Sequence, residues 1–236
     1  TIRVPHRVRE RQSGTRIAIR HASGCGLADR WPPSAPTGST TIRLAQQRGE
    51  AAVTTNPPNV LLIVADDLGY SDLGCYGGEL STPHLDTLAA GGVRLAQFHT
   101  TARCSPSRAS LLTGLHPHQT GIGVLTNDDR PRGYPGSLNS RCQTMAELLH
   151  PDGYVTALSG KWHLASDMLN PNDSWPTRRG FDSFFGTLTG CGSYFDPGTL
   201  TRGEQPADDA RADPDFYYTD AITADACTRI RGAVTA

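Results

Sequence analysis

No stretch of the 236 residues approaches the roughly 18 consecutive apolar residues of a membrane-spanning helix, so no membrane partner is expected. The six cysteines, Cys25, Cys75, Cys104, Cys142, Cys191 and Cys227, include no Cys-x-x-Cys pair of the kind that grips a soft metal. A disulfide framework is not expected either. The chain does not open on methionine, and its first residues hold no apolar core of a secretion signal. Compartment, cytoplasmic or exported, is therefore left open. Acidic residues are scarce at one end only: residues 1–55 carry nine arginines against Glu10, Asp29 and Glu50, a net of about +6, with no sustained periodicity. Such a segment buries too little apolar surface to order itself, so residues 1–55 read as a disordered Arg-rich extension or a mistaken start. No nucleic-acid partner is expected of it. Removing nine of 22 basic and three of 23 acidic residues leaves 13 against 20, so the remainder is acidic. With 37% apolar residues it is long enough for one sizeable core.

Within that remainder, Cys104-Ser105-Pro106-Ser107-Arg108-Ala109-Ser110-Leu111-Leu112-Thr113-Gly114 is the most informative stretch. Ser105 is a good N-cap and Pro106 suits a first helical position, so a helix is expected from about Pro106 to Thr113, closed by Gly114 in αL. Cys104 would then sit just before a helix N-terminus, where free N–H groups and the dipole favour an anion. Arg108, a turn later, reaches the same place with a bidentate fork. The arrangement suits a tetrahedral oxyanion.

Two further segments belong with it. The aliphatic run Asn59-Val60-Leu61-Leu62-Ile63-Val64-Ala65 reads as a central parallel strand covered on both faces, and it delivers Asp66 and Asp67 at its carboxyl end. Ligands bind outside the carboxyl ends of strands in open α/β sheets, and adjacent carboxylates call for a shared cation such as Ca²⁺. The strand Tyr154–Ser159 runs into Gly160-Lys161-Trp162-His163-Leu164. If extended backbone persists there, the period of two sends Lys161 and His163 to one side.

Cys-x-Pro-x-Arg followed by Ala-Ser-Leu-Leu-Thr-Gly resembles the signature of the type I sulfatases, in which it directs oxidation of the cysteine to Cα-formylglycine. The Asp66-Asp67 pair and Gly-Lys-Trp-His-Leu resemble two further motifs of that family, although Ala165 stands where its last motif glycine is usual. The resemblance implies an alkaline-phosphatase-like doubly wound α/β sandwich, of which residues 56–236 would be the N-terminal part. It implies a sulfuric ester hydrolase of the arylsulfatase type, with a sulfate ester as substrate. Cys104, Arg108, Lys161 and His163 would be catalytic, and Asp66, Asp67 and residue 104 would hold Ca²⁺, or Mg²⁺ in its place. In that mechanism a formylglycine gem-diol attacks sulfur, Arg108 and Lys161 hold the sulfate oxygens, and His163 is the base that lets sulfate depart. A formylglycine-generating or radical maturation enzyme acting on Cys104 is the implied partner.

Other residues carry less. His116 and His118 read as loop residues, His84 as a helix-start residue in Ser81–Leu88, and His99 ends a strand expected over Val93–Phe98. A helix is expected over Gln143–His150, and another at Tyr217–Thr223 capped by Thr219 or Asp220. Family members run to roughly twice this length, and the remaining metal ligands would lie in the part not seen here. The chain alone is expected to fold poorly and to show little or no turnover. Two alternatives stand beside the sulfatase reading: a phosphonate monoester or phosphodiester hydrolase of the same superfamily, and a non-catalytic truncated remnant.

Overall fold

The computed structural model describes residues 57–235; the Arg-rich extension lies outside them. Among these residues six α-helices and four short strands follow in the order α1 (Pro83–Ala90), α2 (Cys104–Thr113), α3 (Pro117–Thr120), α4 (Met145–Leu149), β1 (Ala157–Ser159), β2 (Ser183–Thr187), β3 (Leu200–Arg202), β4 (Gln205–Pro206), α5 (Asp208–Arg211) and α6 (Tyr218–Thr235). The strands form one mixed sheet in that order. β1 lies parallel to β2 with Leu158 opposite Phe184, and β2–β3 and β3–β4 are antiparallel.

The sheet is covered on both faces, and β2 shows why. Its successive side chains alternate between faces, and two adjacent phenylalanines enter different clusters. Phe184 packs with Ala109 and Leu112 of α2, Ala146 of α4, Trp162 and Phe181. Phe185 packs with Leu200, Ala207, Phe216 and the α6 residues Ala221 and Ile222. A strand buried on both faces reads as an unbroken apolar run, as Phe184-Phe185 does here.

Two expected strands are absent among the described residues. Residues 59–65 are not paired in a sheet; Leu62 packs against the Phe184 cluster, while Ile63 remains 66% exposed. The segment 93–98 is likewise unpaired, with Val93 86% exposed. β-propensity measures how well a side chain fits a pleated, covered surface, and no neighbouring strand supplies that surface to either segment.

Helix starts also differ from expectation. α2 begins at Cys104, with Arg103 as N-cap, because Ser107 N–H closes the first turn on the Arg103 carbonyl at 3.1 Å. Ser105 is thus inside the helix, fully buried, with its hydroxyl lacking a partner. Pro106 is tolerated because first-turn N–H groups have no intrahelical acceptor. Gly114 closes the helix in αL at φ 70° as expected. α6 starts at Tyr218, so Thr219 and Asp220 lie in its first turn and do not cap it. α4 is shorter than expected and carries a reciprocal cap: Glu147 N–H donates to Thr144 Oγ1 (3.1 Å) and Thr144 N–H to Glu147 Oε2 (2.6 Å).

Glu147 has a second task. Arg179, only 4% exposed, donates from Nε and Nη2 to its two carboxylate oxygens, both at 3.1 Å, and from Nη2 to the Cys142 carbonyl at 2.7 Å. This buried fork fastens α4 to the crossover between β1 and β2. The exit of β1 is held as closely: a Cβ on Gly186 would run into the Gly160 backbone, so only glycine allows β2 to approach there.

Candidate active site

All six residues expected to act together line one cleft of about 840 Å³: Asp66, Asp67, Cys104, Arg108, Lys161 and His163. α2 places Cys104 in its first turn and Arg108 one turn later on the same side. Arg108 Nη1 donates to the Lys161 carbonyl at 2.7 Å, which fixes the guanidinium against the segment leaving β1.

That segment is not strand. Trp162 N–H bonds the Thr187 carbonyl (2.9 Å) and His163 N–H bonds that of Leu188 (3.2 Å), but His163 adopts a left-handed φ of 56°. Lys161 and His163 reach the same cleft, and Trp162 is buried on the opposite side. The backbone reason differs from the strand alternation expected. A non-glycine αL residue costs roughly 1 kcal/mol or more and is characteristic of functional sites.

The contacts within the cleft are specific. His163 Nδ1 lies 3.4 Å from Cys104 Sγ. Lys161 Nζ lies 2.7 Å from Asp66 Oδ2, and Arg108 Nη2 lies 3.4 Å from Asp66 Oδ1. Burial pushes the Asp66 carboxyl up, yet the hydrogen bond and charge of Lys161 and then those of Arg108 outweigh it and leave the carboxyl below its usual range. Burial first, then the charges of Lys161 and Arg108, push His163 down to about 4 against a weaker opposing pull from Asp66. Its imidazole is neutral at neutral pH and able to accept a proton.

Asp67 lines the same cleft from a left-handed backbone position, φ 54°. The adjacent carboxylates of Asp66 and Asp67 are hard oxygen donors and fit calcium in chemistry, but they supply only part of the six to eight oxygens that ion takes. Among the described residues no group of three or more His, Cys, Asp or Glu is arranged to hold a metal. His84, His99, His116 and His118 are exposed and lie off the cleft. His116 and His118 face each other, Nδ1 to Nδ1, at 2.8 Å.

Sequence reasoning missed two neighbours of the site. Gly190 lies so close to His163 that an added Cβ would overlap its ring, falling 2.5 Å from Nδ1. Tyr218, at the start of α6, receives the Thr187 N–H on its hydroxyl at 3.1 Å, and burial raises its phenol above the usual range. Gly190 sits in no motif, although the Gly-Cys-Gly of residues 190–192 marks a tight turn, and Tyr218 falls in the expected helix start Tyr217–Thr223 without a role at the site.

The sulfatase family model matches residues 58–230, nearly all of the described chain. The chain belongs to the sulfatase family. It is 45% identical over 160 residues to an uncharacterised sulfatase of Schizosaccharomyces pombe, covering 64% of the chain and 28% of the relative. It is 44% identical over 174 residues to mouse steryl-sulfatase, covering 66% and 27%, and 47% identical over 135 residues to human arylsulfatase A, covering 55% and 25%. The chain thus spans about a quarter of the length of these curated relatives. Among solved structures it superposes on Ps i-CgsB with a TM-score of 0.56 at 27% identity, covering 72% of this chain and 40% of that one. The mixed sheet with helices on both faces is accordingly part of the alkaline-phosphatase-like α/β fold.

Proposed function

We propose that these residues form the nucleophile-bearing and anion-holding part of a sulfate monoester hydrolase, dependent on formylglycine at position 104 and on calcium. The observation that carries this reading is the meeting of Cys104, Arg108, Lys161 and His163 in one cleft, with His163 Nδ1 3.4 Å from the Cys104 side chain. The relatives named arylsulfatase A and steryl-sulfatase support the substrate class.

Arg108 and Lys161 are both largely buried and present two cations to the cleft. In such a setting fixed cations stabilise the charge of a transferring sulfuryl group without reorganisation. As formylglycine, residue 104 would supply a hydrated aldehyde: one hydroxyl oxygen would bond to sulfur as the ester S–O bond breaks, its proton passing to the departing alcohol, and deprotonation of the other hydroxyl would restore the aldehyde and release sulfate. His163 is placed to take that proton, being neutral and within reach of residue 104. Asp66 and Asp67, with residue 104, would hold Ca²⁺, or Mg²⁺ in its place, and such an ion would supply Lewis-acid character and positive charge against the sulfate. The thiol itself has no second hydroxyl, so turnover depends on a formylglycine-generating or radical maturation enzyme acting on Cys104.

Two measurements test the reading. Mass spectrometry of the peptide bearing residue 104, from protein expressed with a maturation enzyme, should show aldehyde in place of thiol. A full-length protein carrying these residues should then hydrolyse an aryl sulfate faster than phenyl phosphonate. The opposite order would make it a phosphonate monoester or phosphodiester hydrolase, and no turnover of either would make it a non-catalytic remnant.

A further inference from the structure

Until it is converted, residue 104 is a free thiol, and as a thiol it already has the parts of a nucleophile. Its Sγ lies 3.4 Å from Nδ1 of His163, a side chain only 8% exposed that lines the same cleft. A cysteine with an imidazole in hydrogen-bond reach is the pairing that acyl transfer uses, provided the base is held in orientation. Here the hold is steric and from the backbone. Gly190 presses against the His163 ring, and His163 N–H donates to the Leu188 carbonyl at 3.2 Å.

The surroundings suit a developing oxyanion. Cys104 opens the ten-residue helix α2, whose first-turn N–H groups have no intrahelical acceptor and whose dipole is positive at that end. Arg108 and Lys161, each with a side chain 12% exposed, add two cations to the same cleft. Cys191 also lines the cleft and is more exposed than Cys104, so accessibility alone would favour Cys191. What distinguishes Cys104 is the imidazole at its sulfur.

We propose that the chain with Cys104 as thiol is a hydrolase of activated carboxylic esters, with Cys104 as nucleophile and His163 as base. The proposal concerns the unconverted residue, so it stands or falls apart from the sulfatase reading of the cleft. Sγ bonds to the ester carbonyl carbon while His163 takes the thiol proton. The tetrahedral adduct, its oxyanion facing Arg108, Lys161 and the start of α2, breaks its C–O bond, and the alcohol leaves with that proton. Water then adds to the thioester carbonyl, giving a proton to His163. Collapse releases the carboxylic acid and returns the proton to the sulfur. The obstacle that bars the thiol from sulfate turnover is absent here: a sulfated sulfur has no neighbouring hydroxyl to expel sulfate, whereas a thioester keeps an electrophilic carbon that water attacks. Conversion of residue 104 removes the sulfur and ends this activity, so the two states of one residue carry two chemistries.

The test takes the 236-residue chain made without a maturation enzyme, kept reduced by a phosphine and given p-nitrophenyl acetate. Release of p-nitrophenolate should show a burst equal to the chain concentration, followed by slower steady turnover. Peptide mass spectrometry of protein quenched during the burst should find the acetyl group on Cys104. Cys104→Ala should remove the burst, His163→Gln should slow it about a hundredfold, and Cys191→Ser should leave it unchanged, with folding checked by circular dichroism. The peptide map is read on the unaltered chain, so it decides even where a variant misfolds. Acetyl spread evenly over the six cysteines, or found chiefly on Cys191, would overturn the proposal. So would a burst within about twofold of wild type in His163→Gln, or an acetyl-Cys104 that persists with no steady release.

Discussion

Gly190→Ala is the sharpest perturbation of this site, because the structure states how far the damage reaches. The new Cβ would lie 2.5 Å from His163 Nδ1 and still nearer two other ring atoms. Unstrained carbon contacts begin near 3.5 Å, so the ring must retreat by about 1 Å. The ring then leaves the position in which its Nδ1 lies 3.4 Å from Cys104 Sγ. A misplacement of about 1 Å in a catalytic group costs roughly 10²-fold, or about 2.7 kcal/mol of transition-state stabilisation. The assay is steady-state hydrolysis of an aryl sulfate by matured full-length protein, with kcat and KM separated. We expect kcat to fall about a hundredfold with KM little changed, His163→Ala to fall at least as far, and the double variant to lose no more than His163→Ala alone. Retention of kcat within twofold, or additive losses in the double variant, would refute the idea that Gly190 acts by seating His163.

The remaining predictions are briefer. Glu147→Gln leaves the Arg179 guanidinium buried without its counter-charge and should lower stability by about 3 kcal/mol in urea titration, with part of the loss recovered by adding Arg179→Met; a change below about 1 kcal/mol would contradict the role given to that fork. His163 is held at about 4 in the fold against about 6.5 in an unfolded chain. The unfolded state therefore takes up the proton first as pH falls, and the stability that depends on neutral His163 is full above about pH 6.5 and lost towards about pH 4. Unfolding midpoints of wild type and His163→Gln should accordingly diverge with pH across that window, and parallel curves would argue against the shift. The 236-residue chain alone should show no detectable aryl sulfate hydrolysis even in excess calcium, since among the described residues the cleft offers two carboxylates where that ion takes six or more oxygens; measurable turnover would show that these residues suffice.

What could be read from the chain beforehand was chiefly what is local. Asp66-Asp67, Cys104 to Arg108, and Lys161 to His163 each lie within a few residues, so short motifs were enough to nominate them, and one cleft collects all six. The reasons were less legible than the residues. His163 turns towards Cys104 through an αL backbone and the bare surface of Gly190, not through strand alternation. α2 starts earlier than its sequence suggests because the cap preference of Ser105 competes with the turn that Arg103 and Ser107 close. The runs 59–65 and 93–98 have the composition of strands, but pairing is a property of neighbours far off in sequence. The rings of Tyr194 and Phe195 meet that of Tyr217 only in the fold, with α5 intervening in sequence.

β2 can be seen as the datum from which this site is dimensioned. Phe184 is clamped from one side and Phe185 from the other, so the strand cannot slide along its own axis without prising open both clusters. The carbonyls of Thr187 and Leu188 that catch Trp162 and His163, and the Gly190 on which the imidazole rests, follow directly from that clamped pair. The base and its seat are gauged from one fixed mark, so positional error between them accumulates over only a few residues. Engineering that loosens either face of β2 should therefore blur the site before it unfolds the protein, widening the spread of His163 positions while the average fold still looks intact.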